Sequence, residues 1–404
     1  MKRDLLARLA RPGDSRIVLL VVDGIGDLRT AEQPETPLQR AATPHLDRLA
    51  AGGSLGRIVP VAPGITPGSG PGHLALFGYD PAEPEVDIGR GVLEALGLDL
   101  DVRAGDVVAR GNFATADDAG RLTDRRAGRI ATAESHRLVA RLRQSLPDLP
   151  GVEVVLEPGE GHRFVLLLRG EGLSPAVADT DPQQTGVPPI EAAASEPEGE
   201  GTAQLVRRLV SALEPVLAAE PQANRLLLRG FSTLPRLVPL PERLHLRCGA
   251  FAGYPLYRGV ASACGMEKVP CGKKFGEIVD AVTAAWQRFD FFFLHVKQTD
   301  MAGEDGDFAA KVAVLEDLDT HLPRLLALEP TVLAVTGDHS TPVPMKAHSW
   351  HPVPLLVAAP TAFADGADRF DELAAIGGHL GTLPSRHLMA LLLAHAGRLA
   401  KYGA

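Results

Sequence analysis

Long apolar runs that break off abruptly into turn and acidic residues set the strongest limit on how this chain folds. Ile17-Val18-Leu19-Leu20-Val21-Val22 stops at Asp23-Gly24, and Phe291-Phe292-Phe293-Leu294-His295-Val296 leads into Lys297-Gln298-Thr299-Asp300. Thr331-Val332-Leu333-Ala334-Val335 leads into Thr336-Gly337-Asp338-His339, and Pro354-Leu355-Leu356-Val357-Ala358 is a fourth run. Unbroken runs of this kind, rather than alternating ones, predict strands buried on both faces. Helical patterns lie between them. Thr43 is a cap residue followed by Pro44 at the first helical position. From Phe308 to Leu326, apolar residues recur at Val312, Leu315, Leu318 and Leu322, a helical spacing. Strand, loop, helix, strand implies an α/β fold with a mostly parallel sheet flanked by helices. Such sheets bind ligands beyond the carboxyl ends of their strands.

A chain of 404 residues has room for two or three domains. Its texture changes between about residues 95 and 250. Val107 to Phe113, Phe164 to Leu168 and Leu226 to Leu228 predict strands, while residues 170–202, rich in Pro, Gly and acids, predict long loops. The expected organisation is a core domain of residues 1–95 and 250–404 with a smaller α/β lobe, 96–249, inserted into it.

Composition then excludes several classes. Apolar residues at 45% and charged residues at 23% match a globular protein and exclude a disordered or fibrous one. Lys+Arg 41 against Asp+Glu 50 gives a net charge of −9, so no overall field draws nucleic acid or an anionic membrane. An anionic ligand must be held by a local basic cluster. Cys248, Cys264 and Cys271 are odd in number and at unremarkable spacing, which fits a reducing compartment. Met1-Lys2-Arg3-Asp4-Leu5 lacks the apolar core of a signal peptide, and Ile17 to Val22 is far below the roughly 20 residues that span a bilayer. The expected location is the cytoplasm.

Chemistry-bearing residues cluster just past the expected strand ends. Asp23 follows the first run, Asp300 and Glu304 the second, Asp338 and His339 the third, and His348 precedes the fourth. Asp23 alone reads better as a turn or helix-cap residue, and Asp338-His339 or Asp300 with Glu304 alone reads as well that way; their co-occurrence at one sheet edge favours a metal site. Carboxylates with imidazoles and no thiolates suit Mn²⁺, Zn²⁺ or Mg²⁺. Six such groups exceed one closed tetrahedral site and suit two metals with open positions. A second constellation is the Gly/Pro loop Pro63 to His73, with Ser69 where the loop opens into an apolar segment. A serine at a helix N-terminus lies in a positive field that favours anions, although an ordinary turn with a capping serine fits the same letters. A third is basic: Arg125, Arg126 and Arg129 follow Asp124, with Arg110-Gly111-Asn112 upstream and His162-Arg163 and Arg258 downstream. Guanidinium forks match phosphate and carboxylate, and a solvated arginine-rich face is the competing reading.

Taken in order, these motifs resemble the cofactor-independent phosphoglycerate mutases of the archaeal type, within the alkaline phosphatase superfamily. The resemblance runs from Val21-Val22-Asp23-Gly24-Ile25-Gly26-Asp27 through Pro67-Gly68-Ser69 and His73-Leu74-Ala75-Leu76-Phe77-Gly78-Tyr79-Asp80-Pro81. It continues through Asn112-Phe113-Ala114-Thr115, Asp124 to Arg129, and His295-Val296-Lys297 with Thr299-Asp300. It closes on Thr336-Gly337-Asp338-His339-Ser340-Thr341-Pro342 and His348. It implies an alkaline-phosphatase-like sheet and interconversion of 3-phosphoglycerate and 2-phosphoglycerate without 2,3-bisphosphoglycerate. Ser69 would be the phosphorylated nucleophile. Asp23, Ser69, Asp338 and His339 would hold one divalent cation, and Asp300, Glu304 and His348 the other. Mn²⁺ is the first choice, with Mg²⁺, Zn²⁺ or Co²⁺ as alternatives. Asn112, Arg125, Arg126, Arg129, His162 and Arg258 would bind substrate.

Two departures stand out. Glu304 occupies a position where the family usually has histidine, and Gly70-Pro71-Gly72 replaces the Asp-Thr-Ala common in archaeal members. A carboxylate at 304 makes a harder site that favours Mn²⁺ or Mg²⁺ over Zn²⁺. The rivals are another metal-dependent phosphotransferase, such as one acting on homoserine, a phosphomonoesterase, or a metal-stabilised binding protein without turnover.

Overall fold

The computed structural model describes residues 4–83, 86 and 88–403; Met1-Lys2-Arg3, part of the N-terminal expectation, lies outside them. The chain divides into two compact units, residues 1–87 with 236–404, and residues 88–235. Residues 88–95 thus go with the smaller unit and 236–249 with the larger. The first group enters the helix Arg90–Gly97, which packs on strands of the smaller sheet.

In chain order, the larger unit opens with β1 (Ile17–Val22) and β2 (Ser54–Val59). The smaller unit holds β3 (Val107–Ala116), β4 (Leu122–Asp124), β5 (Val152–Pro158), β6 (Arg163–Gly170) and β7 (Arg225–Ser232). The larger unit resumes with β8 (Cys248–Ala252), β9 (Glu267–Lys268) and β10 (Phe291–Val296). It ends with β11 (Val332–Thr336), β12 (Val353–Ala358) and β13 (Gly381–Pro384).

The larger sheet has eight strands in the order β13-β2-β12-β11-β1-β10-β8-β9. It is mostly parallel, as the apolar runs predict. β1 pairs in parallel with both β10 and β11, and β12 is the strand that runs against its neighbours. Every residue of β1, β10 and β11 is buried, which explains why these segments carry no polar alternation. Phe291, Phe292 and Phe293 are fully buried, each contributing roughly 1.5–3 kcal/mol relative to exposure. The sheet ends on short strands, β9 with 2 residues and β13 with 4, a common way of blunting an edge.

The smaller sheet is antiparallel, with β3 paired to β6 on one side and β7 on the other. One face carries the unit's core. Phe113, Phe164, Leu166 and Leu168 pack there against Leu138 and Leu142 of the helix Thr132–Gln144 and Val206, Leu209 and Leu213 of the helix Glu200–Leu217. The expected loop of residues 170–202 is largely irregular, but its end forms the first turn of the helix that starts at Glu200. Among the described residues no helix is long and apolar enough to cross a membrane.

Candidate active site

Sheet register brings the strand ends together. Val21 of β1 lies opposite His295 of β10 and Thr336 of β11, so Asp23, Asp300, Asp338 and His339 follow three adjacent strands at one edge. β12 runs the other way, and His348, just before it, returns to the same edge. Asp23, Asp300, Asp338 and His339 are completely buried. The helix Gln298–Asp305 places Asp300 and Glu304 four residues apart on one face. Ser69 is the first residue of the helix Ser69–Leu76, after Gly68. That helix runs close to the strand end: a Cβ on Gly72 would lie 2.5 Å from the Asp338 carbonyl oxygen.

Two overlapping groups of metal-binding type result, Asp23 with Asp338 and His339, and Asp300 with His339 and His348. His339 Nε2 lies 3.3 Å from Asp23 Oδ1, 3.2 Å from Asp338 Oδ2 and 3.4 Å from Ser69 Oγ. His348 Nε2 lies 3.5 Å from Asp300 Oδ1 and 3.8 Å from Glu304 Oε1. Its Nδ1 meets the Pro67 carbonyl oxygen at 3.1 Å; since a carbonyl only accepts, Nδ1 carries the hydrogen, and Nε2 is the nitrogen left to face Asp300 and Glu304. The His339 and His348 rings stack at 3.6 Å. Glu304 sits at the rim, its side chain 54% exposed.

The donor set fits cations. Both carboxylate oxygens of Asp23 and of Asp338 are buried without a well-aligned hydrogen bond, although Lys297 and His295 lie 3.2 Å from Asp23 Oδ2 and His73 lies 3.2 Å from Asp338 Oδ2. Buried carboxylates without such bonds are costly unless a cation meets them. Burial opposes charge on Asp23, but Lys297, His295 and His339 overcome it and hold the carboxyl well below its usual range. Burial and Asp23 oppose charge on Asp338, and His339 and His73 outweigh them.

Sequence reasoning assigned no role to several residues here. Lys297 Nζ lies 3.2 Å from Asp23 Oδ2 and pairs with Asp300. Burial disfavours its charge, but Asp23 and Asp300 raise its pKa above the ordinary ammonium value. Beneath the carboxylates, Tyr257 stacks on His295 at 3.5 Å, and burial pushes the His295 pKa down to about 4. His73 Nδ1 meets the Ser69 carbonyl oxygen at 2.8 Å, one helical turn back. Lys297, His295 and His73 stood inside quoted motifs, and Tyr257 beside Arg258; the missing signal was which way each side chain points.

The remaining predicted residues lie elsewhere. On β3, Arg110 and Asn112 are two residues apart and so share a face; Arg229 of β7 is opposite Arg110, and Arg163 of β6 opposite Asn112. His162 is buried beside them, and burial together with Arg163, Arg110 and Arg126 brings its pKa down to about 4. Arg110 falls to about 10 through burial and the crowding of Arg163, Arg90 and Arg229, which Glu94 only partly offsets. Arg110 Nε, Arg163 Nε and Asn112 Oδ1 are buried without a partner. Arg125 is committed to the buried Asp181 through two bonds of 2.7 Å. Arg126 and Arg129 are exposed. Arg258 is in the larger unit, on the helix Pro255–Ala263, near Cys271. Arg90 and Arg229 were not anticipated; strand alternation from Arg110 across an assumed β7 would have found the second.

A serine at a helix start, ringed by carboxylates and imidazoles at the carboxyl edge of a parallel sheet, defines an α/β enzyme of phosphoryl-transfer type. The family model described as 2,3-bisphosphoglycerate-independent phosphoglycerate mutase matches residues 50–223. A protein of Thermus thermophilus named as a probable 2,3-bisphosphoglycerate-independent phosphoglycerate mutase is 51% identical over 403 residues, 99% of each chain. A solved structure of a Pyrococcus horikoshii protein superposes with a TM-score of 0.83 at 29% identity, covering 98% of this chain and 100% of the other. The cofactor-independent phosphoglycerate mutase of Thermoplasma acidophilum does so with a TM-score of 0.71 at 29% identity, covering 95% and 100%. The chain belongs to the 2,3-bisphosphoglycerate-independent phosphoglycerate mutase family.

Proposed function

We propose that the chain interconverts 3-phosphoglycerate and 2-phosphoglycerate through a phosphoserine at Ser69, without 2,3-bisphosphoglycerate. The observation that carries this is the position of Ser69 Oγ, 3.4 Å from His339 Nε2 at the start of a helix and beside buried carboxylates that lack a well-aligned hydrogen bond. Two divalent cations would be held by Asp23, Ser69, Asp338 and His339, and by Asp300, His348 and Glu304. Bound there, they would supply Lewis acidity and charge neutralisation. A donor set of four carboxylates, two imidazoles and a hydroxyl favours Mn²⁺.

The protein's own groups account for the rest. Ser69 Oγ attacks phosphorus as the bond to the substrate oxygen breaks, and the released glycerate oxygen takes up a proton. The other glycerate hydroxyl then attacks the phosphoseryl phosphorus and restores Ser69. Lys297 lies among Asp23 and Asp300, where its ammonium offsets negative charge during transfer. We assign substrate binding to the basic face of residues 88–235: Arg110, Asn112, His162 and Arg163, with Arg126 and Arg129 at its exposed margin. The free thiols Cys248, Cys264 and Cys271 support a cytoplasmic location.

The test is incubation of the purified protein with 3-phosphoglycerate and Mn²⁺, with no bisphosphate added. Expected are 2-phosphoglycerate and, by mass spectrometry, a phosphate on Ser69. Ser69→Ala should lower kcat by at least about 10⁴-fold with an unchanged circular dichroism spectrum. Release of inorganic phosphate without 2-phosphoglycerate would make the enzyme a phosphatase instead.

A further inference from the structure

One buried hydroxyl touches both ligand groups. Thr341 is completely buried, and its Oγ1 lies 2.5 Å from Asp300 Oδ1 and 3.1 Å from His339 Nδ1. A hydroxyl has a single hydrogen to give, and an ionised carboxylate can only accept, so that hydrogen goes to Asp300. The contact with His339 then requires the imidazole to donate from Nδ1. In the neutral ring, the form that binds a cation, Nε2 is then left bare, and Nε2 is the atom that faces Asp23, Asp338 and Ser69.

The hydroxyl has nowhere else to turn. Thr341 N donates to the carbonyl oxygens of Gly24 and Gly26 at 3.3 and 3.2 Å. The Thr341 carbonyl accepts from Lys311 Nζ at 2.9 Å, and that fully buried ammonium is anchored on Asp27 at 2.8 Å. Gly24, at φ +66°, leaves the space the side chain fills: a Cβ there would lie 2.5 Å from Thr341 Oγ1. On the other side, a Cβ on Gly303 would collide with the Thr341 carbonyl. Thr341 is therefore clamped through its backbone, and its hydroxyl sits against Gly24 within reach of Asp300 and His339.

We propose that Thr341 is a positioning residue that aligns the two ligand groups with each other, its hydroxyl orienting the Asp300 carboxylate in one and fixing the His339 tautomer shared by both. This rests on the two-cation reading above. Outer partners of metal ligands typically change metal affinity by about 10–100-fold. Here one such partner serves both groups, so its loss weakens both sites together.

The experiment is a calorimetric titration of the intact protein with Mn²⁺, wild type against Thr341→Val and Thr341→Ser, alongside thermal melts of each metal-free protein. Valine keeps the shape and removes the hydroxyl; serine keeps the hydroxyl. Expected are two Mn²⁺ per wild-type chain, both bound about 10–100-fold more weakly by the valine variant, and near wild-type binding by the serine variant. Thr341→Ala is the second hydroxyl-free variant should valine prevent folding. A hydroxyl-free variant that melts lower but keeps both affinities would reduce Thr341 to a packing residue and overturn the proposal. Weakening of one site alone would overturn it too. A wild-type protein that binds fewer than two Mn²⁺ would instead bring down the two-cation reading itself.

Discussion

At the edge of the larger sheet the acidic groups are carboxylates, each carried by the turn or helix just beyond a different strand. On the smaller sheet the basic groups are guanidinium groups, Arg110, Arg163 and Arg229, carried by the strands themselves. Placement past the strand ends lets the acids turn inward, so Asp23, Asp300 and Asp338 are wholly buried. Face placement leaves the arginines partly open to water. Yet both regions share one property: like charges lie close together, and the carboxylate oxygens of Asp23 and Asp338, like Nε of Arg110 and Arg163, lack a hydrogen bond, whereas Arg229 is paired with Asp179 and Asp181. Neither arrangement is what stability alone would select. On the function proposed above, each would take a partner of opposite sign from outside the chain, a cation in one region and an anion in the other.

The largest effect that sharpens this contrast comes from the acidic side. Asp338→Asn should weaken Mn²⁺ binding by more than the roughly 10–100-fold typical of outer partners, and erase much of the rise in Tm that Mn²⁺ gives the wild type. A variant whose Tm still climbs with Mn²⁺ as the wild type's does would break the comparison. On the basic side, Arg163→Met should cut kcat/KM for 3-phosphoglycerate by about 10–100-fold, mostly through KM, as expected for a lost hydrogen bond to a charged group. Its Tm should hold or rise, because a crowded cation is gone. An unchanged KM would leave the basic face without its assigned role.

The smallest effect is on His162. Its folded pKa of about 4 lies below the ordinary value of 6.5, so the folded protein refuses a proton that the unfolded chain accepts. The stability it contributes is complete above 6.5 and is lost as pH falls from there towards 4. Removing Arg163 takes away one cause of the depression. The His162 titration, followed by NMR, should move up towards 6.5 in Arg163→Met, and the pH window of lost stability should narrow. A titration midpoint that stays put would separate His162 from the arginine cluster.

Much of the larger sheet was legible because burial on both faces writes an unbroken apolar run, and β1, β10 and β11 are cases of it. The acids that follow were legible for the same reason, standing within a few residues of the end of each run. β5 was not read, because most of its residues are only partly buried and Glu153 and Glu157 interrupt its apolar letters. The basic face was half legible: Arg110 and Asn112 share a short motif, whereas Arg229 joins them only through the β3–β7 register. Thr341 and Lys297 stood in view as letters. Their significance is a matter of direction, whether a hydroxyl turns towards an imidazole or an ammonium reaches between two carboxylates, and one-dimensional spacing does not encode direction.

The central place of β1 has a consequence for how the enzyme matures. Its two neighbours in the sheet come from residues 291–296 and 332–336, far along the chain. A polypeptide emerging from the ribosome carries Asp23 from the outset but cannot form a cation-binding pocket until the last quarter of its length is available. On the two-cation reading proposed above, ion capture would therefore be a late assembly event, out of reach of a half-made chain.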